Sequence, residues 1–374
     1  MKNIMFFTHH LWGGGAEKTV CNLSNYINEN CSDITSYVCV VYDEPLYDKV
    51  KNVIVLRNKS NPKTPKFIKP LIILKQVIEL KKIKKERNIA VCISFLPGAD
   101  IINVLSDIGE KKIVSVRNVE SFFLNNCFKK IYDKYSYIKC DKIVAVSETV
   151  KKDLVSNFGV NPNKIVTIYN AISEIPEKHE CIKEFYDFIE GKFVFINIAR
   201  LAPEKNQYML LKAFAILAKE KEDARLVIVG SGSEEKKLKE CSKDLGIIDK
   251  VLFTGKQRNP FDYLEKSDVF VLCSKIEGMP NTLLEALQSG LPCIVTDSAG
   301  AEIIAPDRYR YTAFESMSEE MYGVVVPNDN IDELYIAMKE MMDNKQLKDN
   351  YEKSFPIESF SMKTIVSKWI EVIY

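Results

Sequence analysis

The sequence predicts an α/β protein built from two doubly wound parallel sheets. Three observations point there. Short apolar, β-branched runs recur along the 374 residues. Some, such as Leu226-Val227-Ile228-Val229 and Val269-Phe270-Val271-Leu272, are apolar on both faces, as buried parallel strands are. Longer amphipathic stretches separate the runs, and strand–helix alternation of this kind builds sheets covered by helices. The alternation occurs twice, on either side of a polar segment at 172–190 that carries Pro176.

Taken in order, strands are expected near 3–9, 35–42, 52–57, 89–95, 111–117, 141–147 and 164–169 in the first half. In the second half they are expected near 193–199, 225–230, 250–254, 268–273, 291–296 and 323–326. Helical patterns lie between them, for example Gln207 to Lys221 and Glu234 to Leu245. The domains are therefore placed at 1–172 and 191–355, a size that allows each a full core. One more amphipathic helix, about 356–374, follows Phe355-Pro356 and is long enough to return to the first domain. The stretch 306–321 is longer than the alternation requires, and its aromatics and arginines suit either a surface excursion or a ligand pocket.

Composition narrows the class. The chain is 46% hydrophobic and 28% charged, as soluble globular proteins are. Its 52 Lys plus Arg nearly cancel 51 Asp plus Glu, so overall charge gives no reason to expect nucleic acid. The ten cysteines include no Cys-x-x-Cys pair. Cys39, Cys92, Cys273 and Cys293 lie in strand-like runs as small hydrophobes, a pattern of the reducing cytosol. The N-terminus does not read as a secretory signal, and no apolar run approaches the ~18 residues of a membrane span. A cytoplasmic protein is expected. His9, His10 and His179 have no metal-ligand spacing.

In doubly wound sheets, ligands bind beyond the carboxyl ends of the strands, and the polar motifs fall there. Glu277-Gly278-Met279-Pro280-Asn281-Thr282-Leu283-Leu284-Glu285 places two carboxylates around a turn and a helix start. Asn281 reads as the N-cap, which leaves the N–H groups of Thr282 to Leu284 open as an anion seat. Carboxylates beside a phosphate suit the hydroxyls that flank it, and a diphosphate with hydroxyls on both sides is a nucleotide sugar. Taken alone, the stretch is more simply a capped surface helix with two solvated glutamates. Arg200 and Lys205 bracket a loop after a strand and can converge on one diphosphate, or be two ordinary surface cations. Trp12-Gly13-Gly14-Gly15-Ala16-Glu17 follows the first strand, where glycines permit close backbone approach to a phosphate or sugar. It is neither a dinucleotide nor an ATP motif, and a plain tight turn fits as well. Gly230-Ser231-Gly232 reads as a turn without chemistry of its own. No Asp-x-Asp occurs anywhere, so a glycosyl transfer here would rely on cationic side chains and a helix start in place of a divalent ion.

In this order the pieces resemble the retaining family-4 glycosyltransferases of GT-B architecture, two Rossmann-like domains facing a central cleft. The resemblance covers most of the chain and is strongest from 193 to 305. It is carried by Gly14-Gly15-Ala16-Glu17, Val144-Ala145-Val146-Ser147-Glu148, Asn170, Ala199-Arg200-Leu201, Lys205-Asn206, Val229-Gly230-Ser231-Gly232, Phe253-Thr254-Gly255, the Glu277 to Glu285 stretch and Gly300-Ala301-Glu302-Ile303-Ile304. The resemblance implies that Arg200 and Lys205 hold the donor diphosphate. Glu277, with the backbone of Gly278, Met279, Pro280 and Asn281, would face sugar and phosphates. Glu285 would bind the ribose, and residues about Gly255 to Arg258 would frame the base. Gly14 and Gly15 would approach the phosphates, with Glu17 nearer the acceptor. Many relatives carry a histidine where this chain has Arg117 and Asn118, which become the acceptor-side candidates.

The implied activity is metal-independent, retaining transfer of a hexose or N-acetylhexosamine from a nucleotide sugar, UDP preferred, to a growing surface glycan. No cofactor is implied beyond the co-substrate. A nucleotide-sugar epimerase of the same architecture and a non-catalytic partner subunit are the alternatives. The first would need general acid–base residues at the sugar, and the chain has few histidines. The second usually loses the charged donor residues that are present here. Residues 59–87 carry Lys59, Lys63, Lys66, Lys69, Lys75, Lys81, Lys82, Lys84, Lys85 and Arg87 among apolar residues. They read equally as a core-packed helix with a solvated lysine face or as a basic helix on an anionic membrane. Because many family members use polyprenyl-diphosphate carriers, the resemblance favours membrane contact and a lipid-linked acceptor.

Overall fold

The computed structural model describes residues 1–11, 14–42, 50–57, 65, 68–124, 127–172, 174–175, 182–257, 259–306, 316–344, 351 and 355–374. The chain divides into two compact units, one of residues 1–171 with 358–374 and one of residues 172–357. Each is a seven-stranded sheet flanked by helices.

Unit 1 contains β1 (Lys2–Thr8), β2 (Ile34–Val40), β3 (Val53–Val55), β4 (Ile89–Phe95), β5 (Lys111–Val116), β6 (Lys142–Ala145) and β7 (Ile165–Thr167). They lie in the order β3-β2-β1-β4-β5-β6-β7, all parallel. Ile4, Met5, Phe6 and Phe7 are all fully buried, which requires cover on both faces. On one face, helices Lys69–Glu86 and Cys127–Lys139 both pack against helix Pro97–Leu105. On the other, helix Gly15–Asn30 packs against the returning helix Met362–Ile373. Ser361 starts that returning helix by accepting a hydrogen bond from Thr364 N–H. Ile365, Val366, Trp369 and Ile373 join the core of Ile4, Phe6 and Val38, with the Trp369 ring stacked 6.1 Å from Phe95.

Unit 2 repeats the plan with β8 (Phe193–Ile198), β9 (Ala224–Val229), β10 (Val251–Gly255), β11 (Val269–Leu272), β12 (Cys293–Thr296), β13 (Ser318–Glu320) and β14 (Gly323–Val326). Their order is β10-β9-β8-β11-β12-β14-β13, parallel except for β13 against β14. Strand β13 was not expected: Ser-Glu-Glu has no apolar or β-branched character, and only its edge position permits it. It lies within the stretch 306–321, whose residues 307–315, Arg308 and Arg310 among them, fall outside the described residues. Cys39, Cys92, Cys273 and Cys293 are buried free thiols inside the sheets. Burial pushes Cys92 up to about 11 and Cys273 up to about 12, so both are inert hydrophobes.

Among the parallel strands of each sheet the order reverses at one place, between β1 and β4 and between β8 and β11. Loops leaving those neighbouring strands diverge to opposite faces and open a crevice at the carboxyl edge. That reversal positions the candidate sites.

The basic helix Lys69–Glu86 corrects one expectation. Lys84 points inward and is fully buried, with Nζ 2.5 Å from Glu110 Oε1 and 2.8 Å from Asn103 Oδ1. It pins the helix and contributes nothing to a basic surface. Lys69, Lys75, Lys81, Lys82 and Lys85 are exposed, while Lys59, Lys63 and Lys66 lie outside the described residues. Removing one partner of a buried ion pair strands the other charge. Lys84→Ala should therefore cost about 3 kcal/mol in urea unfolding, whereas Lys84→Met combined with Glu110→Gln should recover most of that loss.

Candidate functional site at the carboxyl edges of the two sheets

In unit 2, β8 and β11 flank the reversal, and the loops that leave them carry the predicted residues. After β8 the chain makes a short 3-10 turn at Pro203–Lys205 and enters helix Gln207–Glu220 through Asn206, whose φ of 52° is left-handed. That conformation suits asparagine better than most residues. Lys275 N–H donates to the Glu204 carbonyl at 2.9 Å and so ties this loop to the one after β11.

The tie brings Lys205 to Glu277, with Nζ 2.6 Å from Oε1 and both side chains mostly buried. The same oxygen accepts Ser274 Oγ–H at 2.7 Å. Among the described residues, Oε2 of Glu277 accepts no hydrogen bond. Arg200, its side chain 68% exposed, pairs with Glu204 at 2.5 Å. Each cation thus has an internal carboxylate partner. Glu204 and Ser274 were not singled out from the sequence. A polar residue at the very end of a buried strand was the available signal for Ser274.

Gly230 and Gly232 have a role the sequence did not reveal. A Cβ on Gly230, where φ is +147°, would lie 1.9 Å from the Ala199 carbonyl oxygen, and one on Gly232 would lie 2.2 Å from that of Leu201. Leu201 N–H donates to the Ser231 carbonyl at 3.0 Å. The glycines let this strand exit press against the backbone that carries Arg200.

The helix of the Glu277 to Glu285 stretch differs from expectation by one residue. It runs Asn281–Gln288, with Pro280 in the cap position in extended conformation and no side-chain cap. Asn281 is its first residue, not its N-cap, because the Pro280 carbonyl already accepts Leu283 N–H at 3.2 Å. The Leu283 donor is therefore committed within the helix. Glu285 lies one turn in and is buried, as are Gly278, Met279 and Pro280. Gly255 ends β10 at φ +71° in open space, and Arg258 lies outside the described residues.

In unit 1 the same edge gathers a polar group around β1 and β4. Leu96, at φ 77°, turns the chain into Pro97 and brings Gly98 against His9. A Cβ on Gly98 would meet His9 Nε2 at 2.3 Å. A leucine in that region costs on the order of 1–3 kcal/mol, and such strain concentrates at functional edges. Gly14 precedes helix Gly15–Asn30, and the space above it holds the Glu17 carboxylate, 2.3 Å from where a Cβ would be. Glu17 also meets His10 Nδ1 at 3.1 Å, and its buried Oε2 has no hydrogen-bond partner among the described residues. A carboxylate thus already stands at the helix start where a phosphate was expected. Trp12 and Gly13 lie outside the described residues.

Arg117, at the end of β5, is buried against the Phe95 ring. It donates from Nη2 to Asn170 Oδ1 and weakly, at 3.5 Å, from Nη1 to Ser115 Oγ. Thr19 Oγ1–H reaches the same Asn170 oxygen at 3.4 Å. Burial pushes the guanidinium down to about 9, still charged at neutral pH. Two of its five N–H groups are used, and among the described residues no carboxylate reaches it. Asn118 follows, half-buried. Arg117 and Glu17 each carry unused hydrogen-bonding capacity, one cationic and one anionic.

A family model of "Glycosyltransferase Family 4" matches residues 13–174, and one of "Glycosyl transferases group 1" matches residues 179–355. The chain is 30% identical over 281 residues to an uncharacterized glycosyltransferase of Methanocaldococcus jannaschii, covering 70% of this chain and 68% of that one. It is 25% identical over 359 residues to the N-acetylgalactosamine-N,N'-diacetylbacillosaminyl-diphospho-undecaprenol 4-alpha-N-acetylgalactosaminyltransferase of Campylobacter jejuni, covering 94% and 93%. Among solved structures, Anabaena HepE in complex with UDP and glucose superposes with a TM-score of 0.81 at 16% identity, covering 100% of this chain and 99% of that one. The fold is thus GT-B, with two Rossmann-like domains.

The edge of unit 1 gives a pH test. Burial, with His10 beside it, pushes the His9 imidazole down to about 4, against a gain from its Gly98 backbone bond. A histidine lowered on folding stays neutral while the unfolded chain takes up a proton, so its contribution is complete above about 6.5 and is lost as pH falls toward 4. Denaturant unfolding of His9→Gln should therefore lose less stability than the parent between pH 7 and pH 4.5, by on the order of 2 kcal/mol.

Proposed function

The chain belongs to the glycosyltransferases that these two family models describe, and on that premise we propose that it is a retaining, metal-independent hexosyltransferase. The donor is a nucleotide sugar, UDP preferred, carrying a hexose or N-acetylhexosamine. The acceptor is a growing surface glycan on a polyprenyl diphosphate. The observation that carries this reading is the contact of Lys205 with Glu277, which joins two motifs 72 residues apart at the reversal of one sheet.

Lys205 and Arg200 exchange their internal carboxylates for the donor diphosphate and stabilise the charge that grows on it as the glycosidic bond breaks. Glu277, freed from Lys205 and oriented by Ser274, accepts hydrogen bonds from sugar hydroxyls. Glu285 takes the ribose, and Gly255 marks the base. The acceptor hydroxyl attacks from the face the leaving phosphate occupies, and that phosphate takes the proton. Positioning and charge stabilisation then supply the rate, without a covalent intermediate. On unit 1, Arg117 held by Asn170, with Asn118 and Glu17, serves the acceptor. UDP is favoured because HepE was solved with it, and a lipid-linked acceptor because the Campylobacter relative is named for an undecaprenol-linked one. The exposed lysines of helix Lys69–Glu86 supply an anionic-membrane contact near the inner leaflet.

The test is donor hydrolysis and transfer in EDTA across a panel of nucleotide sugars, first screened by thermal stabilisation. Arg200→Ala should lower kcat by about 100-fold or more with little change in melting temperature, since its side chain is exposed. Glu277→Ala should lose activity and leave Lys205 short of a partner. Full activity of Arg200→Ala would remove the phosphate assignment. An epimerised donor in the absence of acceptor would identify an epimerase, and absence of any turnover with donor still bound would identify a partner subunit.

A further inference from the structure

Helix Cys127–Lys139 is built inside out. Its inner face presents Asp133, Ser136 and Tyr137, all buried, against Asp100 and Glu120. Lys129 reaches inward as well, to Glu120 at 2.8 Å and Asp133 at 3.3 Å. Its outer face exposes Ile131 (64%), Tyr132 (56%), Tyr135 (40%) and Ile138 (62%). At 100° per residue, Ile131, Tyr135 and Ile138 form one ridge, flanked by Lys130 and Lys134 on one side and by Tyr132 and Lys139 on the other. The one acid in 129–139, Asp133, is turned inward. A helix that spends its polar residues on the core and its isoleucines on the outside presents the kind of apolar patch that marks an interaction surface.

The neighbouring elements extend the surface. Helix Pro97–Leu105, against which this helix packs, exposes Leu105, and helix Lys69–Glu86 beyond it exposes Leu71, Leu74 and Ile78 among exposed lysines. Phe122, just ahead of helix Cys127–Lys139, is exposed too. The shared chemistry is an apolar ridge, phenol hydroxyls at its edge and ammonium groups along both flanks. An anionic bilayer surface meets all three at once: acyl chains, a wet interface and phosphate headgroups.

We propose that the outer face of helix Cys127–Lys139 docks on an anionic bilayer, seating Ile131, Tyr135 and Ile138 in the interfacial layer with Lys130, Lys134 and Lys139 against the headgroups. The inference rests on the exposure and composition of this helix; it adds to the function proposed above the face through which that enzyme meets the membrane of its acceptor.

The full chain is floated with vesicles of phosphatidylcholine plus phosphatidylglycerol, and with vesicles of phosphatidylcholine alone. Ile131→Ser with Ile138→Ser should lower partitioning onto the mixed vesicles by about tenfold or more. Lys130→Glu with Lys134→Glu should weaken the preference for the anionic vesicles and its sensitivity to salt, leaving only the share carried by the lysines of helix Lys69–Glu86. Tyr135→Trp should add an emission component that shifts to the blue when mixed vesicles are added. Parent-like partitioning of both double variants, or an added tryptophan emission that bound vesicles leave unmoved, would overturn the proposal. So would a concentration-dependent dimer of the parent that Ile131→Ser with Ile138→Ser dissolves while vesicle binding persists, which would make the face a self-interface. Should the isoleucine pair fail to fold, the lysine pair and the Tyr135→Trp reporter still decide. Donor hydrolysis, unchanged in these variants, separates failure of the docking face from failure of the transferase assignment.

Discussion

Parallel pairing of buried strands is the constraint on which the rest depends. A strand apolar on both faces leaves polar chemistry nowhere to go but its ends. Because the strands are parallel, their carboxyl ends share one edge, and where the strand order reverses, the exits of two neighbouring strands spread apart. Lys205 and Glu277 follow β8 and β11, and His9 and Gly98 follow β1 and β4. The same rule therefore placed a charged pair in one unit and a histidine contact in the other.

Within unit 2 internal contacts hold the candidate site together. The Lys275–Glu204 backbone bond and the Gly230 and Gly232 contacts fix the strand exits, and the internal carboxylates of Glu204 and Glu277 hold the two cations. Unit 1 has a different character. Its buried Arg117 lacks a carboxylate partner among the described residues, while the Glu17 carboxylate occupies its helix start. One edge holds balanced charges, and the other holds separated ones.

The strands were legible from β-branched runs and the helices from their period, since burial on both faces leaves a strong apolar signature. Strand β13 was not, because an edge strand of Ser-Glu-Glu is set by its neighbour's open hydrogen bonds and not by its own side chains. Lys205 and Glu277 could be singled out from motif and spacing. Their pairing could not, because Lys205 meets Glu277 only through the fold. The N-cap reading of Asn281 failed for a local reason: the Pro280 carbonyl can accept Leu283 N–H, and the helix starts one residue earlier than the cap rule suggests. Lys84 was counted among surface lysines because a sequence cannot show that Glu110 and Asn103 wait across the core. The outward isoleucines of helix Cys127–Lys139 were equally hidden, since periodicity reports an apolar stripe without saying which way it faces.

The returning helix Met362–Ile373 completes the core of a sheet whose first strand begins at Lys2. All of unit 2 lies between them in the chain. During synthesis, therefore, the second sheet is fully available to fold while the first still lacks one of its covering helices. Through that interval one face of the N-terminal sheet, with the Phe95 ring on it, waits for Trp369. A chaperone that shields apolar surface would have its longest task on the unit whose first strands are made before the other.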